Sequence, residues 1–257
     1  MSGTGVADSP SLQPGSHTRG LLPRLQLADG ALEALKWLAL LLMTGDHVNK
    51  YLFNETLPLL FEAGRVAMPL FVVVLACNLA RPGARRNGAY RRTALRLVLF
   101  GALATPPFIV LGGLLKGWYP LNILFTLLVI TLATAACEHA ATDRPLYWSV
   151  AALVVVLGGA FVEFWWPAVL LGLSVGWYAR RPGLLAAAGI ALSLAALCPL
   201  NGNAWAFAAV PLVVCTTCIA PALPRWRWLF YAYYPLHLLA LWLIRIPMAK
   251  AGYLFLI

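Results

Sequence analysis

An aspartate and a histidine stand side by side near the end of the first long apolar run, in Leu42-Met43-Thr44-Gly45-Asp46-His47-Val48-Asn49-Lys50. Arg65 opens the next run, and His237 lies inside the last one, in Tyr233-Tyr234-Pro235-Leu236-His237-Leu238. Within a bilayer a charged side chain costs about 2.5–3.5 kcal/mol on insertion scales, so ionisable groups at these positions are functional candidates. An imidazole, with an ordinary pKa near about 6.5, accepts a proton at neutral pH, which suits His47 to general-base work. Consecutive helical residues do not face each other, so Asp46 and His47 must find partners on other helices. Arg65 falls at the same depth as Asp46 and is its natural partner. The plainer alternative makes Asp46 and Arg65 a structural ion pair, His47 a cap at the helix end and His237 a hydrogen-bonded packing residue. Pro235 frees a backbone carbonyl one turn back, which a ring N–H can satisfy. Tyr231, Tyr233 and Tyr234 read equally as an interfacial belt.

The elements that position these groups follow from composition. The chain has 257 residues, 61% of them hydrophobic and 11% charged. A soluble domain is about 45–50% apolar and about 25% charged, so an aqueous monomer is excluded. The net charge of +10 lies in short clusters between apolar runs. That is the pattern of cytoplasmic loops, not of a nucleic-acid binder. The expected fold is all-α, a polytopic transmembrane helix bundle of about nine spans. The spans are placed near 31–52, 63–80, 92–115, 119–138, 146–160, 163–179, 183–200, 204–223 and 228–250, forming one domain over 29–257. Residues 1–28, rich in Ser, Gly and Pro, read as a disordered tail in which His17 is idle.

Alternate connections carry Arg81, Arg85, Arg86, Arg91 and Arg92, then Arg144, then Arg180 and Arg181, then Arg225 and Arg227, while the opposite set holds little beyond Lys50, Arg65 and Lys116. This bias places the N-terminus in the cytoplasm and the C-terminus outside. His47 then lies about 24 Å along its span at 1.5 Å per residue, in the outer third. His237 falls near the midplane. Asn122, Glu163 and Arg245 are expected near the outer face. Glu138 and His139 are expected as solvated residues at the cytoplasmic end, with Arg96 snorkelling. No metal-ligand spacing and no phosphate loop occurs. Cys215 and Cys218 form a CxxC without a second ligand pair and read as packing residues.

Four clusters in this order resemble the TraX family of conjugative-plasmid proteins. They are Met43-Thr44-Gly45-Asp46-His47, then Ala63-Gly64-Arg65-Val66-Ala67-Met68-Pro69-Leu70-Phe71, then Asn122-Ile123-Leu124-Phe125, and Tyr234-Pro235-Leu236-His237-Leu238. Asn78-Leu79-Ala80-Arg81 is similar to the family's exit from the second span. The resemblance implies an acyltransferase of the bacterial inner membrane, with acetyl-CoA as donor and the N-terminal amine of a pilin subunit as acceptor. His47, Asp46, Arg65 and His237 become the expected catalytic group. Arg81, Arg85, Arg86, Arg91 and Arg92 become the expected binding set for the donor's phosphates, and Asn122, Tyr234 and Arg245 the acceptor-binding set. Alternatives are a non-enzymatic pilin chaperone, an acyltransferase with a glycan acceptor, and a transporter; the last predicts internal repeats that are not seen.

Overall fold

The computed structural model describes residues 22–112, 114–142, 144–218, 221, 223–224, 226 and 228–253. Most of the expected N-terminal tail, with His17, lies outside the described residues, as do Arg225 and Arg227. Among the described residues the architecture is helical, with only two isolated bridges, Lys116–Tyr119 and Leu121–Val162. The first pass is α1 (Asp29–Leu52). The second is broken into α2 (Pro58–Gly64) and α3 (Ala67–Ala80). Next come α4 (Ala89–Leu111) and α5 (Ile123–Ala140). The fifth pass is composite: α6 (Leu146–Leu153), a π turn over Val154–Gly158, and α7 (Gly159–Phe161). Then follow α8 (Trp165–Arg180) and α9 (Leu184–Asn201). The eighth is a 3₁₀ turn, Trp205–Ala208, leading into α10 (Ala209–Thr216), and the last is α11 (Leu229–Lys250).

Among the described residues five helical stretches are long and apolar enough to cross a membrane: Pro58–Ala80, Ala89–Leu111, Ile123–Ala140, Leu184–Asn201 and Leu229–Lys250. The chain is thus a polytopic helical membrane protein, with about nine passes as expected. The eighth is shorter than the 204–223 run suggests, because its helical part ends at Thr216.

The core is where α1, α3, α5 and α8 meet; α8 also packs on α9, and α4 on α5 and α11. Leu35, Leu70, Ile130 and Leu171 are fully buried there. Small residues permit the close approaches. A Cβ at Gly172 would come within 2.6 Å of the Ile130 side chain, and one at Gly101 within 3.1 Å of Phe125. In hydrocarbon, where apolar burial gives no drive, such backbone proximity supplies the packing energy. Outward-facing leucines such as Leu185 and Leu192 remain exposed, as a lipid-facing surface requires.

Two connections are paired with each other. The Leu121 amide donates to the Phe161 carbonyl at 2.8 Å, and the Glu163 amide to the Leu121 carbonyl at 3.0 Å. Thr126 Oγ1 donates to the Glu163 carbonyl at 2.9 Å. Asn122 caps α5, its Oδ1 accepting from the Leu124 amide at 3.2 Å. Its Nδ2 donates to the Gly101 carbonyl at 3.0 Å, below the Pro106–Pro107 step of α4. Gly101 lies about 18 Å from the start of α4 at 1.5 Å per residue. Asn122 thus stands at the start of α5, about 27 Å of helix from Ala140, with the Glu163 backbone hydrogen-bonded beside it.

Candidate functional site

The Arg-rich end of α1 is tied to the bundle by an ion pair between Asp29 and Arg81. From Asp29 to His47 the helix rises about 27 Å. Here α1 makes two pairs in succession, on two sides.

The first is Asp46 with Arg65. Arg65 Nη2 donates to Asp46 Oδ1 at 2.5 Å, Nε donates to the Phe61 carbonyl at 3.2 Å, and the guanidinium lies 4.3 Å from the Phe61 ring centre. Both side chains are less than one-fifth exposed. The break between α2 and α3 is what aims Arg65 at α1. Gly64 is required at this crossing: a Cβ there would stand 2.4 Å from Asp46 Cβ. Gly64→Ala is expected to destabilise the protein by about 1–3 kcal/mol, the usual cost of overpacking. A thermal melt in detergent checks this, and an unchanged midpoint would show that α1 and α2 can part freely.

The second pair is His47 with His237. His47 Nδ1 and His237 Nε2 are 2.7 Å apart, and the two rings are nearly parallel, with centroids at 5.0 Å. The other nitrogen of His237, Nδ1, lies 3.0 Å from the Tyr233 carbonyl. A carbonyl only accepts, so His237 carries its proton on Nδ1 and offers a lone pair at Nε2. His47 then donates from Nδ1, which leaves its own lone pair at Nε2. That is the tautomer a general base needs, set by a chain of two hydrogen bonds. One turn nearer the Arg-rich end the same seam repeats: Thr44 Oγ1 and the Tyr233 hydroxyl are 2.8 Å apart. Tyr233 stacks on His237 at 5.1 Å, and Tyr234 meets it edge-on at 5.4 Å.

The expected depths of the two histidines were thus unequal only on paper. The first turns of α11 lie beside Arg96 and Phe100 of α4, with Arg96 4.6 Å from the Trp228 ring centre and Phe100 stacked on Tyr231 at 5.9 Å. The last helix therefore starts well inside the bundle, and His237 comes level with His47. Arg96 lies over the Trp228 and Tyr231 rings. The carbonyl used by His237 is that of Tyr233, not the Tyr231 carbonyl that Pro235 leaves without its usual donor. Tyr234 is buried, 3% exposed, and does not belong to an interfacial belt. His47 sits in the body of α1 and is no cap.

The other expected site residues are dispersed. Asn122 is buried on Gly101, as described above. Arg245 donates to the Leu111 carbonyl at the far end of α4. Of the arginines, Arg81 pairs with Asp29, Arg92 donates to the Asn87 carbonyl, and Arg85 donates to Thr142 Oγ1 at 2.6 Å and meets His139 Nδ1 at 3.0 Å. Arg86 and Arg91 are exposed. Glu138 and His139 are not idle solvated groups: Glu138 pairs with Arg180 at 3.1 Å, and His139 stacks on Tyr147 at 5.1 Å. The described residues contain no group of three metal-ligating side chains, and Cys215 and Cys218 are exposed free thiols.

Thr44 and Tyr233 are partners that the sequence reading missed. The available signal was spacing: Thr44 and His47 at i, i+3, and Tyr233 and His237 at i, i+4, put polar groups on one face of each helix.

Against known proteins, a family model described as TraX protein matches residues 31–245. The chain is 30% identical over 231 residues to Protein TraX of Escherichia coli, a match covering 82% of this chain and 86% of that one. It is also 30% identical over 147 residues to Protein TraX of Escherichia coli strain K12, covering 57% of this chain and 51% of the other. No solved structure matches.

Proposed function

The chain belongs to the TraX family, and from that premise we propose that it is an inner-membrane acyltransferase that acetylates the N-terminal amine of a conjugative pilin subunit, with acetyl-CoA as donor. The observation that carries this reading is the His47–His237 hydrogen bond, whose far end on the Tyr233 carbonyl leaves the His47 Nε2 lone pair available.

In the reaction the amine nitrogen forms a bond to the thioester carbonyl carbon, the carbon–sulfur bond breaks, and coenzyme A leaves as the thiol. His47 takes the proton that the amine must lose and returns it to the departing sulfur. His237 holds the imidazole in orientation and accepts the hydrogen bond that strengthens as His47 becomes positive. Arg65, held rigid by Asp46 and the Phe61 ring and carbonyl, is the cation at this level for the oxygen that gains charge. Fixed donors of this kind act strongly because they need no reorganisation when charge develops. The donor approaches from the Arg-rich, cytoplasmic side and the pilin terminus from the other, so the site must sit between them, as the roughly 27 Å rise from Asp29 to His47 allows.

The direct test is the intact mass of the cognate pilin with and without this protein. A gain of one acetyl group only when it is present is the expected result. Pilin that is bound and delivered at unchanged mass would instead identify a chaperone. The orientation is tested separately. Reporter fusions at positions 87 and 182 are expected to read cytoplasmic and one at position 203 periplasmic; a periplasmic reading at 87 would invert the map.

A further inference from the structure

A cavity of about 260 Å³ lies between α1, α3, α4, α5 and α11. Along α1 its wall runs from Glu33 to Met43, about 15 Å of helix. It therefore begins near the Arg-rich end and stops one turn short of His47. Its inner end is closed by Tyr233 and Tyr234, the two rings packed on His237.

Its lining is not uniform. Lys36 lies one turn in from Glu33, paired with it at 2.5 Å and lying over the Phe230 ring, and Arg96 lies two turns into α4 on the opposite wall. Arg96 rests on the Trp228 and Tyr231 rings, and no carboxylate forms an ion pair with it among the described residues. Asn78, three residues before Arg81, and Thr93, one turn into α4, line the mouth nearest the Arg-rich end, while the deeper wall, from Leu40 and Phe71 to Leu127, is apolar as far as the tyrosines. Asn78 Nδ2 donates to the Val74 carbonyl at 2.8 Å, which leaves its Oδ1 to accept from something else.

Resting on the acyl-transfer reading above, we propose that this cavity, not the Arg81–Arg92 loop, is the donor site, holding the pantetheine arm of a coenzyme A thioester. A passage that is polar at its mouth, apolar further in and ended by Tyr233 and Tyr234 one turn short of His47 suits a ligand with an anionic head and a slender arm tipped by a thioester. The Arg96 guanidinium, braced by two aromatic rings and without an ion-paired carboxylate among the described residues, suits a phosphate just inside the mouth. The closed end beneath the histidine rings is where a thioester on the tip of such an arm has to arrive. Of the loop arginines, Arg81 is engaged with Asp29, Arg85 with Thr142 and His139, and Arg92 with the Asn87 carbonyl.

The test is binding of free coenzyme A to the purified full chain in lipid nanodiscs, by calorimetry, with a thermal melt on each variant. Thr93→Trp fills the passage and is expected to abolish binding. Arg96→Gln is expected to weaken it about 10–100-fold, the worth of one charge-assisted hydrogen bond. Asn78→Leu keeps the volume, loses the acceptor and is expected to weaken it about 5–10-fold, so the test does not depend on the tryptophan variant folding. The pair Arg86→Ala, Arg91→Ala is expected to bind like the parent. Parent-like affinity in Arg96→Gln and Asn78→Leu, with loss in the loop variant, would overturn the cavity assignment and leave acyl transfer standing. A phospholipid that fills the cavity and is not displaced by coenzyme A would overturn it as well. No coenzyme A binding by the parent, with pilin mass unchanged, would remove both readings.

Discussion

His47→Ala is expected to leave the pilin N-terminus unmodified while the protein remains folded in the membrane. Loss of a positioned general base costs about 10²–10⁴ in rate, enough to bring acetylation below detection in a mass spectrum of cellular pilin. Folding should survive, because truncation removes the donor and frees only the His237 Nε2 lone pair, which a water can satisfy. His237 separates position from chemistry. His237→Leu removes the acceptor that fixes the His47 tautomer and should cut the rate, while His237→Gln, which keeps an acceptor oxygen, should restore part of it. A merely packing histidine predicts the reverse order, since leucine fits an apolar seam better than glutamine. Pilin acetylated normally by the His47→Ala variant would eliminate His47 as the base.

A different pattern is expected at the ion pair. Arg65→Ala strands Asp46 at a depth where it is poorly solvated, so some loss of folded protein is expected; breaking a buried pair from one side costs about 3–5 kcal/mol. Asp46→Asn combined with Arg65→Gln removes both charges and should recover most of that stability. Activity should not follow. If Arg65 stabilises the developing oxyanion, the double variant remains slow by about 10²–10³-fold, by analogy with loss of one oxyanion donor. Arg65→Lys keeps the charge but loses the planar fork and should remain impaired. Measuring membrane abundance and acyl transfer for both single variants and the double variant decides the matter: full activity in the double variant would restrict Arg65 to a structural role.

The Asp46–Arg65 pair was legible from residue types alone, because two opposite charges at one depth in hydrocarbon have little else to bind. The helical passes were legible for the same energetic reason, written in the hydropathy of each run. The histidine pair was not. Its formation depends on how deep α11 begins, and that is set by the aromatic packing of Trp228 and Tyr231 on Arg96 and Phe100, a tertiary fact with no local pattern. The bonding of Asn122 and Glu163 was not legible, because hydropathy cannot distinguish a connection left open from one that satisfies its polar groups on Gly101, Leu121 and Thr126. The cavity was equally invisible, since its walls come from five helices far apart in sequence.

The paired connections also bear on the lipid around the protein. After the paired connection at Glu163, α8 has only 16 residues, about 24 Å of helix against a hydrocarbon core of about 30 Å. The stretch Leu146–Phe161 before it is too short as well. Lipids must therefore compress along this flank, at a cost of fractions of a kcal/mol per Å of mismatch. Short-chain lipids should accordingly stabilise the protein more than long-chain ones.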